Sequence, residues 1–409
     1  MEKAQGRQLV EVWGEMNQSQ QFNTIQNLVR LESQLASIDF PGYGNLYFDR
    51  SIQSSNPSIP IDNGFCIGPS FDASWFPQND GGTHSGPWET FSDLAVALVN
   101  RGIEHVKHSS TFTPHGPHPG SKDEHIQTLE AVLTIMPELA TSTSLRRFLK
   151  PRLWHADLHL GNIFVCDTDP TNIVNIIDWQ FTSIGPAFMQ VQWPSFLSPP
   201  DDYKFGMVKP ELPPNSSEMD EDEQAYAITE RDRALLSKCY EAALAKNHLQ
   251  SYLAFTRVDP ALRHLLAFCG NTSKTGIIPL RDSMMQISEN WSQMGLSGCC
   301  SYSPTHEDLQ RHAIELSTYQ DWQRLKAYTQ ELLQTDDDGW VPPQLDFDQV
   351  KARHAELFNL YIQREAEVSS EAEARRLWFY VENRSELEHE LRSLIVMSSI
   401  KVLSWRHSL

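Results

Sequence analysis

Two short β-type runs joined by a turn constrain this chain more than any other feature. Ile163-Phe164-Val165 is the first and Ile173-Val174-Asn175-Ile176-Ile177 the second; Asp167-Thr168-Asp169-Pro170-Thr171-Asn172 lies between them. Branched and aromatic residues favour extended backbone, and the Asp, Thr, Asn and Pro between them favour a turn. The pattern predicts an antiparallel hairpin. With the turn centred on Pro170, Asn162 and Asp178 face each other at the open end, where neighbouring strands are about 5 Å apart. Asp157 stands just ahead of that end.

The residue types at this end suit a definite chemistry. Asp157 is followed five positions later by Asn162 and sixteen positions after that by Asp178. Phosphoryl transfer from ATP to a hydroxyl needs a carboxylate to receive the hydroxyl proton, and an Asn and an Asp to hold the metal. Mg²⁺ takes oxygen ligands and keeps phosphates and waters in its shell. Two other readings compete. Asn162 and Asp178 could lie on a merely solvated turn. His155, Asp157 and His159 alternate, so on a strand they would share a face and could bind zinc for a metal-dependent hydrolase; Asn162 would then have no role. His155 fits better as a support of the catalytic loop.

The string Leu-Trp-His-Ala-Asp-Leu-His-Leu-Gly-Asn-Ile-Phe-Val (153–165), together with Ile-Ile-Asp-Trp-Gln (176–180), resembles the aminoglycoside phosphotransferase-like kinases. It is most similar to a fungal branch whose members are mitochondrial. Gly185–Phe188, Trp193–Leu197, Met1–Gly6 and Tyr43–Phe48 suit the same branch. The resemblance runs from Met1 to about Leu197 and thins to helical texture beyond. It implies an α+β, mainly helical fold: a protein kinase-like large lobe with a short β-hairpin carrying the metal ligands. It implies Asp157 as catalytic base, Asn162 and Asp178 as magnesium ligands, and ATP with Mg²⁺ as cofactors. The first seven residues resemble the hinge between kinase lobes, so Glu2, Lys3 and Ala4 would offer backbone hydrogen bonds to adenine. A kinase small lobe would precede that hinge, with a glycine-rich loop and a strand Lys. Gly42-Tyr43-Gly44 lacks the third glycine and reads as a turn, and no G-x-x-x-x-G-K-[ST] occurs. The expectation is therefore a truncated kinase, a large lobe alone over 1–409, with little or no ATP turnover. A non-catalytic binding protein of mitochondria is the alternative, with a protein partner on the surface the small lobe would cover. No residue outside the motif names the hydroxyl acceptor.

Composition narrows the rest. The formal net charge of −20 argues against nucleic acid or an anionic membrane as a main partner. No apolar run approaches the ~20 residues that cross a bilayer. The six cysteines form no C-x-x-C pair and read as free thiols. The first residues carry neither a signal-peptide core nor an Arg-rich presequence, which leaves a cytoplasmic location as the alternative to a mitochondrial one.

Along the chain, residues 8–37 carry a helical pattern with Leu28, Leu31 and Leu35 on one face. Residues 41–85 read as a Gly/Pro/Ser/Asn-rich insertion with short β pieces. Pro87 opens the next helix, with Phe91, Leu94, Leu98 and Val106 as its stripe. The 111–121 segment, with His115 and His118, is a loop. A helix near 122–148 leads through Pro151 into the catalytic segment 152–182. Residues 199–222 form a mobile loop ending in acidic residues. Helices follow at 221–255, 259–270, 281–294 and 306–334, the last capped by Thr305 and Asp308. Asp336-Asp337-Asp338-Gly339 is a turn rather than a calcium loop. Charged helices at 346–370 and 371–404 close the 305–409 region.

Overall fold

The computed structural model describes residues 3–52, 56–62, 64–72, 75, 85–109, 116–180, 182–336, 339–342, 345–365 and 369–380. The chain divides into two compact units. The first comprises Met1–Phe112, Gly120–Ser273 and Pro279–Leu309; the second comprises Thr113–Pro119, Lys274–Ile278 and Gln310–Leu409. The sequence reading had a single domain over 1–409.

In chain order the elements are β1 (Arg7–Gln8), α1 (Gln18–Ala36), β2 (Asn45–Phe48), β3 (Ile59–Ile61), β4 (Phe65–Gly68), α2 (Phe91–His108), α3 (Lys122–Thr141), β5 (Pro151–Leu153), β6 (Ile163–Val165), β7 (Ile173–Ile176) and β8 (Ile184–Pro186). Then come α4 (Ala187–Gln190), α5 (Glu221–Asn247), α6 (Leu249–Thr256), α7 (Pro260–Cys269), α8 (Thr272–Thr275), α9 (Ile278–Glu289), α10 (His306–Leu333), α11 (Phe347–Glu365) and α12 (Glu371–Leu377). The fold is α+β and mainly helical, as the sequence implied.

In the first unit α1 packs on α5, and α2 packs on α3 and α7. α1 starts where Asn17 accepts from the Gln20 amide while the Gln20 side chain accepts from the Asn17 amide. This reciprocal cap satisfies two otherwise orphaned donors. Ile25, Leu28, Val29 and Ala36 are fully or almost fully buried on its inner face, each large aliphatic worth roughly 1.5–3 kcal/mol. α5 is capped in the same way by Asp220 and Glu223. Three small sheets, each antiparallel throughout, accompany the helices, in strand orders β1-β6-β7, β2-β4-β3 and β5-β8.

Several boundaries differ from the sequence reading, each for a local reason. Residues 9–15 form two 3₁₀ turns before α1 begins. α2 opens after Thr90, whose hydroxyl caps the Asp93 amide, and not at Pro87. Its buried stripe is Phe91, Leu94, Ala95, Val99, Ile103 and Val106, with Leu98 only half-buried. α3 stops at Thr141, and Pro151 begins β5. The expected 221–255 helix is two, because His248 leaves helical backbone and its ring caps Ser251. Thr305 and Asp308 cap α10 as expected.

In the second unit Trp378 carries an aromatic cluster with His354, Phe358, Tyr361 and Phe379. α12 ends at Leu377, where Trp378 turns extended. The rest of the expected 371–404 helix, from 381 onward, lies outside the described residues. So do Glu2, His115, Asp337 and Asp338. The turn at Asp336 is present, with the Trp340 amide donating to Oδ1 of Asp336 at 2.8 Å.

Candidate active site

The predicted hairpin is β6 and β7, antiparallel, with Ile163 opposite Ile176. The Ile177 amide donates to the Asn162 carbonyl at 2.9 Å, extending the pairing to the open end. Asn162 and Asp178 therefore stand at neighbouring ends of paired chain, as the spacing requires. A third strand was not anticipated: Arg7 and Gln8 pair with Val165 and Phe164. Gly6 makes this approach feasible, because a Cβ there would stand 2.2 Å from the Val165 carbonyl oxygen. The Gln5 carbonyl accepts from Asn175 Nδ2 at 3.2 Å, and Gln8 Nε2 donates to the Gly161 carbonyl at 3.0 Å. The hinge-like segment thus leads directly onto the hairpin; of its residues Lys3 is exposed and Ala4 half-buried.

The segment around Asp157 is held by its own side chains. His155 is buried, and its Nε2 donates to the Ile177 carbonyl at 2.9 Å. Its Nδ1 accepts from the Asp157 amide at 3.2 Å. One neutral imidazole therefore ties the segment bearing Asp157 to the segment bearing Asp178. The ring stacks edge-on against Trp179 at 4.8 Å, and Trp179 Nε1 donates to the Ile176 carbonyl at 2.8 Å. Two successive carbonyls ahead of Asp178 are fixed in this way. Asp178 itself adopts φ +65°. A non-glycine residue there costs ~1 kcal/mol or more, and such strain gathers at functional sites.

Asn162 is buried, and its Nδ2 donates to the Asp157 carbonyl at 2.8 Å. That bond fixes the amide so that Oδ1 is the atom left to face outward. Asp157 and Asp178 are exposed. Further anchors come from the chain after β8: Gln192 Nε2 donates to the Ala156 carbonyl at 3.1 Å, and the Ser195 amide to the Leu158 carbonyl at 3.0 Å. An amide oxygen and a carboxylate on adjoining chain ends, with no ion pair to either among the described residues, suit a hard divalent ion. Among the described residues no group of three or more His, Cys, Asp or Glu could hold a metal. A site with two protein oxygens, completed by phosphates and water, is not such a group.

The zinc arrangement of His155, Asp157 and His159 is absent. These residues lie on a looped segment and not on a strand. His155 spends both ring nitrogens on backbone groups, and His159 Nδ1 accepts from the Gly161 amide at 3.0 Å. The sequence reading anticipated His155 as a support, but it did not anticipate Trp179, Gln192 or Gln8. Their signal is weak because each acts through a single hydrogen bond to backbone.

Fold and site together describe a mainly helical α+β protein with a short hairpin and exposed carboxylates at Asp157 and Asp178. Residues 106–191, which contain every one of the central site residues, match the family model described as the phosphotransferase enzyme family. Over most of its length the chain is similar to fungal proteins. It is 24% identical over 427 residues to a subtelomeric hrmA-associated cluster protein of Aspergillus fumigatus, covering 93% of this chain and 81% of that protein. It is 24% identical to altered inheritance of mitochondria protein 9, mitochondrial, of Lachancea thermotolerans, covering 86% of this chain and 62% of that protein. The Zygosaccharomyces rouxii protein of the same name is 22% identical, covering 81% of this chain and 57% of its own length. The resemblance drawn from the motif therefore holds. The chain spans less than two thirds of the length of the two mitochondrial relatives. No solved structure matches.

Proposed function

We propose that this chain carries out, or is part of, a kinase-like transfer of the ATP γ-phosphoryl group to a hydroxyl. The observation that carries the reading is the His155 bridge: a single ring joins the amide of Asp157 to the carbonyl preceding Asp178. Two segments 21 residues apart in sequence are thereby tied together by one ring, a tether of the kind that positioning catalysis uses. Asp157, exposed at the end of this segment, receives the proton of the attacking hydroxyl. Asn162 Oδ1 and the Asp178 carboxylate hold magnesium. When bound, the ion neutralises charge on the nucleotide phosphates. Lys3 and Ala4, together with Glu2, are the candidates for backbone contact with the nucleotide base. The names of the relatives support a mitochondrial location, and the acceptor is a small molecule or another hydroxyl-bearing partner.

The test combines titration calorimetry with Mg-ATP and measurement of γ-phosphoryl release. Asp157→Asn should remove most transfer while leaving Mg-ATP affinity within about twofold, since it alters a proton acceptor and not a ligand. Equal loss of Mg-ATP affinity in Asp157→Asn and Asp178→Gly would overturn the assignment. Zinc seen by anomalous scattering at His155 and His159 would replace it with the hydrolase.

A further inference from the structure

We propose that His159 is a positioning residue for Asp157, donating from Nε2 to one carboxylate oxygen and leaving the other for the substrate hydroxyl. The inference rests on the reading of Asp157 as catalytic base. Three observations fix the ring. His159 Nδ1 accepts from the Gly161 amide at 3.0 Å, so Nδ1 carries no proton and Nε2 does. The ring lies against Gly161, where a Cβ would stand 2.9 Å from Cε1 and 3.1 Å from Nδ1. A side chain at 161 would displace it. In the resulting pose Nε2 stands 3.8 Å from Oδ2 of Asp157.

That gap is longer than a hydrogen bond, but Asp157 is free to close it. Its side chain is 69% exposed, and no other hydrogen bond or ion pair holds its carboxylate among the described residues. A small rotation brings Oδ2 to Nε2–H, and catalytic hydrogen bonds commonly tighten only with substrate bound. The division of labour follows. The Asn162 side chain and His155 fix the backbone of Asp157 from both sides. Neither touches its carboxylate, so without His159 the carboxylate rotates freely and the base is presented in many orientations. His159 supplies the missing constraint, and Gly161 is the residue that lets it do so.

Two substitutions separate the two ring nitrogens. Asn places its side-chain oxygen where Nδ1 sits, so His159→Asn keeps the turn and loses the donor. Gln places its amide nitrogen near Nε2, so His159→Gln keeps a donor toward Asp157. In single-turnover hydrolysis of Mg-ATP with the protein in excess, which reads even slow turnover, His159→Asn should lower the rate about tenfold with Mg-ATP affinity unchanged, the scale of one hydrogen bond to a charged group. His159→Gln should recover a good part of that loss. Melting temperatures of both variants report whether the turn survives.

A spectroscopic arm does not depend on turnover. In the full chain with ¹⁵N-labelled histidine, assigned by difference from His159→Asn, His159 should show Nδ1 unprotonated and Nε2 protonated. Asp157→Asn should move its Nε2 resonance. The opposite tautomer, or a resonance indifferent to Asp157→Asn, overturns the proposal. If Asp157→Asn abolishes hydrolysis while His159→Asn matches the unmodified protein, the positioning role falls and the phosphotransfer reading stands. If Asp157→Asn leaves hydrolysis intact, the phosphotransfer reading falls and this inference falls with it.

Discussion

Glu32 offers a stability measurement whose size and direction both follow from its surroundings. It occupies the inner face of α1, in register with Ile25, Leu28, Val29 and Ala36, where an aliphatic residue would be expected. It is 5% exposed, and among the described residues no group, the Tyr240 hydroxyl included, makes a hydrogen bond of full geometry to either carboxyl oxygen. The polar group it faces is the Tyr240 hydroxyl on α5. Burial pushes its carboxyl up to about 8, with Tyr240 opposing only in part. The folded protein therefore keeps this proton at neutral pH while the unfolded chain releases it above its ordinary value of 4.5. Below that value both states are protonated and the burial costs nothing electrostatically. Between pH 4.5 and 8 stability falls by about 1.4 kcal/mol per pH unit, and above 8 the loss is complete. At pH 7 the accumulated cost is roughly 3 kcal/mol. Glu32→Gln keeps the shape and removes the ionisation. The variant should therefore gain on the unmodified protein as pH rises from 5 to 8 and stop gaining beyond it. Urea unfolding followed by tryptophan fluorescence at pH 5, 6, 7 and 8 measures the difference, and every other titrating group cancels between the two proteins. A stability difference that is flat across this range would refute the argument and place an ionised or solvated carboxylate at Glu32.

Three further outcomes follow from particular contacts. Asp178→Gly should abolish Mg-ATP binding while leaving stability unchanged or raising it by up to ~1 kcal/mol, because glycine adopts φ +65° without strain; calorimetry and thermal melts read the two effects, and a large loss of stability would show that Asp178 is structural. Gly102→Ala should destabilise by roughly 1–3 kcal/mol, since a Cβ there would stand 2.0 Å from the Cys269 carbonyl oxygen and force α2 from α7; an unchanged melting temperature would contradict that packing. Glu241 is buried and accepts from the Tyr203 hydroxyl, the Gly206 amide and Lys238. Glu241→Ala leaves Lys238 with its charge poorly compensated, at a cost of ~3 kcal/mol, and should speed proteolytic cleavage between residues 199 and 220 before global unfolding; an unchanged cleavage rate would mean that other contacts hold this loop.

Much of the helical framework was legible because its signals are local. Thr305 with Asp308 announces the start of α10, and Leu28, Leu31 and Leu35 announce a face of α1, of which Leu28 is buried beside Ile25 and Val29 while Leu31 and Leu35 are half-buried at its edge. What could not be read is where a tertiary contact overrides a local pattern. His248 breaks a helical stretch by turning its ring back to cap Ser251. The proline-rich 199–222 segment reads as mobile, and composition alone does not show that Glu241, 35 residues beyond Gly206, grips its first part. Glu32 is the sharpest case: periodicity places it inside, residue type places it outside, and only the packing of α1 on α5 decides.

At the candidate site the residue types suggest a chemistry, while the geometry around them left no trace in the letters. Asp157, Asn162 and Asp178 could be named because an amide and two carboxylates at fixed spacing around a hairpin admit few uses. Nothing in the letters shows that Asp178 has a left-handed backbone, that His155 reads two backbone groups at once, or that the start of the chain supplies a third strand. These features share one cause. Each places a carboxylate or amide oxygen at a defined point by satisfying backbone donors and acceptors nearby, and backbone groups carry no sequence signature. The candidate carboxylates are left almost bare: Asp157 and Asp178 are exposed, the hydrogen bonds around them attach to main chain, and His159 at 3.8 Å is the group that stands beside the Asp157 carboxylate. Backbones tied by hydrogen bonds, with the carboxylate oxygens left unspent, are the arrangement on which the proposed phosphoryl transfer would draw.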